Sequence, residues 1–236
     1  MKGGEATDLE LLLEIMLEVA PNPFQRGLTD LLDQTRLVGS ALFHLVGVVA
    51  VHERRDALVG ELLSEHRTTI VPNRGTVPFA TAFTPELTRA MKGWPSKQLR
   101  DALRGLLVPP IPASGFTRSW EAWTYLYSVA NCYFQGAGTP SNSWIVPYLQ
   151  VNGSHSGNGL VVEAAATAQG RFRKLQDAHP AFQAGLCGGS FELFVEAAAT
   201  FEDGYTRQAN HMDWAAQPSG AYTLPVGPHY PGEGKY

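Results

Sequence analysis

The stretch SWEAWTYLYSVANCYF, Ser119–Phe134, decides the fold. Six of its sixteen residues are aromatic, and it holds one charge and no proline or glycine. Trp120, Trp123 and Tyr127 recur at three- and four-residue spacing, which places them on one face of a helix. So much apolar surface on one segment reads as a helix buried inside a body.

Outward from that segment the chain alternates helical runs with breakers. On its N-terminal side lies Pro109-Pro110-Ile111-Pro112, which reads as an extended linker of polyproline character and as the best domain boundary. Further upstream, Thr7 and Glu10 have capping-box spacing, and Leu9, Leu12, Leu13, Met16 and Leu17 follow with helical periodicity until Pro21 and Pro23. A second helix is expected from about Thr29 to Val51 and a third from Val51 to His66. Thr84-Pro85-Glu86 is a helix start, with a cap and then proline at the first helical position. Trp94-Pro95-Ser96 ends that short helix and opens another that runs to Leu107. Downstream, 144–151 has strand character, limited by Pro147. Leu160–Gln169, Phe172–His179 and Phe191–Phe201 read as helices. From Glu202 onward, repeated glycine and proline predict irregular chain.

The expected fold is therefore mainly α, with roughly eight helices, Pro/Gly-rich loops, a minor extended segment near 144–151 and an irregular C-terminal arm. Residues 1–108 form an N-terminal helical region, 109–118 a linker, 119–201 a second helical region and 202–236 the arm. One internal match crosses this plan. Val162-Glu163-Ala164-Ala165-Ala166-Thr167 returns thirty-three residues later as Val195-Glu196-Ala197-Ala198-Ala199-Thr200. A period of that size lies near known helical repeats. Two copies make no solenoid and their flanks differ, so two Ala-rich helices that pack closely on their neighbours are the plainer reading.

Composition narrows the function classes. Hydrophobic residues at 44% and charged residues at 17% exclude disorder of the whole chain. Two cysteines exclude a disulfide framework and a cysteine-built zinc site. The N-terminal run is interrupted by Glu10, Glu14 and Glu18, unlike a secretory signal, and it is acidic, unlike a transit peptide. The longest apolar stretch, Leu37–Val51, has fifteen residues, short of the roughly 20 that span a bilayer. A protein that is not secreted and has no transmembrane segment is expected. Asn152-Gly153-Ser154 fits a glycosylation sequon but reads as a turn in that setting.

Charge is distributed in blocks. Residues 1–65 carry five basic and eleven acidic groups, residues 66–118 eight and two, and residues 119–236 five and nine. The middle block is a basic island: Arg67, Arg74, Arg89, Lys92, Lys97, Arg100, Arg104 and Arg118. It can face RNA, or pair with the acidic N-terminal helices of the same or a neighbouring subunit. Nucleic-acid-binding blocks are usually denser, which favours pairing between protein surfaces. Arginine outnumbers lysine thirteen to five, and arginine and aromatics are enriched at interfaces.

Motifs for chemistry are thin. Gly153-Ser154-His155-Ser156-Gly157 puts histidine where a hydrolase elbow needs serine. No phosphate loop is present, and Gly157-Asn158-Gly159 has Val162 in place of the third dinucleotide glycine. His-Glu-x-x-His is absent: His52-Glu53 lacks a second histidine, and His211 with Asp213 lacks a third ligand. His44 reads as a core histidine, Cys132 and Cys187 as buried thiols, and Glu202-Asp203 as solvated acids at a helix end. No catalytic residue, metal ligand, cofactor or small-molecule substrate is inferred. An enzyme with a non-local site around 136–159, where Asn142, Asn152 and His155 cluster, is one alternative.

The C-terminal arm points elsewhere. Glycines and prolines deny it regular structure, yet Trp214, Tyr222, Tyr230 and Tyr236 need a surface to cover. Such an arm suits lying on a neighbouring copy. The sequence-level expectation is a structural, self-assembling subunit: a viral capsid (coat) protein whose shell encloses an RNA genome, located in the virion or the host cytoplasm. Its partners would be copies of itself, and RNA through residues 66–118, with no membrane partner. An accessory structural subunit of a large cellular complex is the other alternative. The overall net charge of −4 and the lack of a strongly basic arm fit a mostly helical shell around a stiff double-stranded genome, or a shell that needs little neutralisation, better than a coat that condenses a single-stranded genome.

Overall fold

A computed structural model describes residues 29–71, 75–83, 95–108, 110–135 and 158–211. Among them are eight α-helices and one two-stranded hairpin, so the fold is mainly α. The helices are α1 (Thr29–His52), α2 (Asp56–Leu62), α3 (Phe79–Ala82), α4 (Pro95–Leu107), α5 (Ala113–Gln135), α6 (Asn158–Leu175), α7 (Pro180–Gln183) and α8 (Phe191–His211). Among the described residues, no helix is long and apolar enough to cross a membrane.

Helix α5 is the axis. From Ser119 to Cys132 every side chain except Ala122 is buried, and α1, α3, α4, α6 and α8 all pack on it. A helix enclosed on so many sides must be largely apolar, and SWEAWTYLYSVANCYF has one charge among its sixteen residues. Two of its polar members return hydrogen bonds to their own helix: Thr124 Oγ1 donates to the Trp120 carbonyl (2.6 Å) and Ser128 Oγ to the Thr124 carbonyl (2.7 Å). Asn131 Nδ2 reaches outward to the Ala80 carbonyl (3.0 Å) and so holds α3 against the axis.

Close approach to α5 depends on a missing side chain. A Cβ placed on Gly47 of α1 would lie 2.2 Å from the Trp123 ring. Glycine lets α1 sit flat on that indole. Phe43, Phe83, Trp123 and Tyr127 then interlock, with Phe43 centroids 5.2–6.0 Å from the other three. A second close crossing joins α2 to α7, where a Cβ on Gly60 would fall 2.0 Å from the Ala181 carbonyl oxygen.

The expected third helix, Val51–His66, is divided. The amide of Arg54 bonds the Val51 carbonyl and that of Arg55 bonds the Ala50 carbonyl, while Arg54 takes φ +54°. This is the Schellman ending of α1, with arginine in the left-handed position usually given to glycine. Helix α2 then runs only to Leu62, and Ser64 pairs with Leu186 in an isolated bridge.

Strands β1 (Thr68–Val71) and β2 (Gly75–Pro78) form an antiparallel hairpin with Thr68 opposite Pro78 and Val71 opposite Gly75. Their β-branched residues and the Pro72-Asn73-Arg74-Gly75 break were a strand signal that the helical periodicity around them obscured. The extended segment expected at 144–151 lies outside the described residues.

Three more expectations change. The Pro-rich stretch is a corner, not an extended linker. The Ile111 amide bonds the Leu107 carbonyl at 2.7 Å, the Phe116 amide bonds the Pro112 carbonyl at 2.8 Å, and Ile111 is buried. Leu99, Leu103 and Leu107 before the corner join the same core as Phe116 and Trp120 after it. The two helices expected over Leu160–His179 are one, α6, which continues through Gly170 to Leu175 before a 3-10 turn at Gln176–Ala178. The helix expected to stop at Phe201 runs to His211. Its register keeps Phe201 and Glu202 inside, and a single glycine at 204 costs only about 1 kcal/mol against alanine.

Candidate functional site

The polar groups that carry chemistry collect in three clusters, two buried and one half-exposed, each at a seam between helices. The first lies where α6 and α8 meet α5. The Tyr125 hydroxyl donates to Glu202 Oε1 at 2.9 Å. Gln169 Nε2 donates both to that oxygen (2.7 Å) and to the Tyr125 hydroxyl (3.0 Å). Tyr125 and Glu202 are fully buried and Gln169 nearly so. Burial raises the Glu202 carboxyl to about 7, against the two hydrogen bonds that favour its charged form. Burial and the neighbouring Glu202 charge push the Tyr125 hydroxyl well above its ordinary range. Glu202 Oε2 has no hydrogen-bond partner among the described residues.

Gln169 and Glu202 stand thirty-three residues apart, the offset of the internal match. Ala168 and Phe201, one position earlier in each helix, are likewise both buried. The two Ala-rich helices therefore present the same register to α5. The correspondence reaches two residues past the identical hexapeptides, where the letters differ but burial does not. That is the signal by which the sequence could have shown this cluster. Read alone, Glu202-Asp203 suggested solvated acids; Glu202 instead faces the core because the helix continues past it.

The second cluster ties α1 to α5. Trp123 Nε1 donates to His44 Nδ1 at 2.9 Å, so the neutral imidazole carries its hydrogen on Nε2. Burial among Phe43, Trp120 and Tyr127 lowers this histidine to about 4, with the Phe83 carbonyl acting the other way. The core reading of His44 holds in the structure.

The third cluster joins α2, α6 and α7. Arg171 Nη2 contacts both Asp56 oxygens, and His179 Nε2 lies 3.4 Å from Asp56 Oδ2. The Ala181 amide donates to His179 Nδ1 at 3.3 Å, so His179 caps α7. Desolvation lowers the His179 ring, opposed by Asp56 and reinforced by Arg171. The Phe172 ring stands edge-on to it at 4.7 Å.

A looser contact lies at the other end of α1, where His52 Nδ1 is 3.4 Å from Ser119 Oγ and His52 Nε2 is 4.0 Å from Glu53 Oε1. Cys132 and Cys187 are buried and unpaired, and burial pushes both thiols up, leaving them protonated at neutral pH. Among the described residues, no group of three or more His, Cys, Asp or Glu side chains has the arrangement to hold a metal ion.

The basic island is only partly in view. Arg67 pairs with Glu61, a member of the acidic N-terminal block in the same chain. Lys97, Arg100 and Arg104 lie on α4, where Arg100 is half-buried and Arg104 exposed. Arg118 is exposed on α5. Arg74, Arg89 and Lys92 lie outside the described residues, as do the arm residues Trp214, Tyr222, Tyr230 and Tyr236. So do Asn142, Asn152 and His155 of the alternative site around 136–159. Comparison with known protein families, curated proteins and solved structures returned no match.

Proposed function

We propose that the chain is a structural subunit that assembles with copies of itself, in its specific form the coat protein of a shell around an RNA genome. The observation that carries this reading is the use to which the reactive side chains are put. Tyr125, Gln169, Glu202, His44 and His179 are each 7% exposed or less, and each fastens one helix to another. A catalytic group needs a substrate within about 3 Å and therefore a path to solvent. Groups closed into seams serve rigidity instead, and a rigid body suits a building block.

Two sequence features support the same reading. Arginine is preferred over lysine, and residues 212–236 join glycine and proline with Trp214, Tyr222, Tyr230 and Tyr236. Sedimentation of the purified full chain, with electron microscopy of the same sample, tests it. The expected result is closed particles or large oligomers that grow with concentration. A 25.6 kDa monomer at every concentration, with and without RNA, refutes it.

A further inference from the structure

The outward-facing backbone of the β1–β2 hairpin follows from one hydrogen bond. The Phe79 amide donates to the Arg67 carbonyl at 2.8 Å, in line with the register that sets Thr68 opposite Pro78. In an antiparallel pair, hydrogen-bonded and non-hydrogen-bonded positions alternate. Arg67 and Phe79 are a bonded pair, so Thr69 with Val77 and Val71 with Gly75 are bonded too, whereas Thr68 with Pro78 and Ile70 with Thr76 are not. The backbone groups of those last four residues point away from the partner strand. On the β2 side they belong to Thr76 and Pro78, and proline has no N–H to offer. On the β1 side they belong to Thr68 and Ile70, each with a donor and an acceptor.

The two edges are thus unequal. Proline is a usual means of blunting an edge, and β2 carries it. The β1 sequence, TTIV, has neither proline nor charge. Among the described residues the sheet has two strands, and α3, which follows β2 directly, is the helix that packs on both. A two-stranded hairpin is marginal by itself, and an unblunted edge is a template for a third strand.

The direction of α8 bears on the source of that strand. Asn131, near the end of α5, holds the Ala80 carbonyl, so the hairpin leading into α3 stands at that end. A Cβ on Gly188 would lie 2.6 Å from the Tyr133 hydroxyl, which places the start of α8 there as well. Glu202 meets Tyr125, further back along α5, so α8 runs against α5 and carries His211 still further from the hairpin. At 1.5 Å per residue, the root of the arm is roughly 20 Å along α5 from the hairpin of its own subunit. Beyond that root the sequence holds, between Gly220 and Pro225, the run Ala221-Tyr222-Thr223-Leu224. It has the four-residue length of β1, no glycine or proline, and two strong strand formers in Tyr222 and Thr223.

We infer that the outer edge of β1 takes residues 221–224 of a second copy as a third strand. The inference rests on the proposed self-assembly for its partner and names the surface on which the arm lies. Backbone hydrogen bonds at Thr68 and Ile70 supply the affinity, as in other strand additions. Gly220 and Pro225 bound the run, so the added strand stops at the length of the edge.

Sedimentation velocity of full-length chains tests it. Ile70→Pro removes an N–H that the hairpin ladder does not use, so the helical signal and Tm should stay near those of the wild type. The concentration at which oligomers form should rise about tenfold or more, for one lost intermolecular hydrogen bond. Thr68→Pro should act alike, and takes the place of Ile70→Pro if proline at 70 unfolds the chain. On the arm, Tyr222→Pro combined with Thr223→Pro removes the N–H that faces β1, whichever of the two it is, with the same loss of assembly. Ile70→Pro is then mixed with this double variant in equal amounts. The arm of the first and the β1 edge of the second are both intact, so two-chain complexes should form at concentrations where either alone is monomeric.

Particles formed by these variants as readily as by the wild type overturn the edge as a docking surface and leave the coat function standing. A wild type that stays monomeric overturns both. Variants that remain apart on mixing overturn the exchange between copies. A large fall in Tm for Ile70→Pro, with no effect of the arm substitutions, also overturns it: the edge is then covered from within the chain, for which the strand-prone 144–151 is the candidate.

Discussion

Replacing Glu202 with glutamine should change how stability depends on pH, and the change follows from two buried groups of opposite sign. Folded Glu202 holds its proton up to about 7, whereas the unfolded side chain releases it near 4.5. Between those values the native state binds more protons than the unfolded state, so stability falls as pH rises. Its contribution is complete below 4.5 and lost by about 7, a span of about 3 kcal/mol. His44 works in reverse. Its folded value is about 4 against an ordinary 6.5, so its contribution is complete above 6.5 and lost as pH falls toward 4, by a similar amount. From 4.5 to 6.5 the two slopes cancel. The wild type should show their joint effect only outside that window, declining below it through His44 and above it through Glu202. Glu202→Gln keeps an acceptor for Tyr125 and Gln169 but cannot titrate. Relative to wild type, the variant should gain about 1.4 kcal/mol per pH unit across the window and end about 3 kcal/mol ahead at pH 8. Urea denaturation followed by far-ultraviolet circular dichroism at half-unit steps from pH 4 to 8 measures both curves. The difference between them removes every other titrating group. Parallel curves would mean that Glu202 ionises as freely in the folded chain as in the unfolded one, and the account of the Tyr125–Gln169–Glu202 cluster would fail.

Two glycine substitutions should have opposite signs. Gly170→Ala, inside α6 with nothing within 4 Å of the new methyl group, should stabilise by about 0.5–1 kcal/mol in thermal unfolding. Gly47→Ala, whose methyl group meets the Trp123 ring at 2.2 Å, should destabilise by about 1–3 kcal/mol in the same assay and quench or shift the tryptophan emission. Deletion of 212–236 should leave helical content and Tm nearly unchanged while abolishing sedimenting particles. Deletion from residue 202 should lower Tm sharply, because it removes Glu202 and the backbone of α8 beyond Phe201. Loss of the helical signal in the shorter deletion would make the arm part of the subunit's own core.

The buried axis was legible because a helix rich in tryptophan and tyrosine has few places to go. The span of α1 and the start of α4 at Pro95 were legible too, from periodicity and from proline at the first helical position. Breaks were harder. The end of α1 depends on Arg54 accepting a left-handed conformation, which its identity argues against. Gly170 and Gly204 suggested stops, but each lies in a helix whose flanks are held elsewhere, and tertiary packing outweighs about 1 kcal/mol of propensity.

The paired Ala-rich helices show why burial carries further than letter identity. Both α6 and α8 lie against one helix, and each brings a polar residue to it at the same point of its repeat. Had both positions kept glutamine, two amides would face Tyr125 and the carboxylate would be gone, along with the shift to about 7. Had both become glutamate, two buried acids at hydrogen-bonding distance could not both ionise, and one would stay protonated well above neutrality. The mixed pair gives Glu202 Oε1 two donors, from Tyr125 and Gln169, and leaves a single proton in question. That divergence between otherwise matching segments turns a plain Ala-rich seam into a place where a buried carboxyl is set to titrate near pH 7.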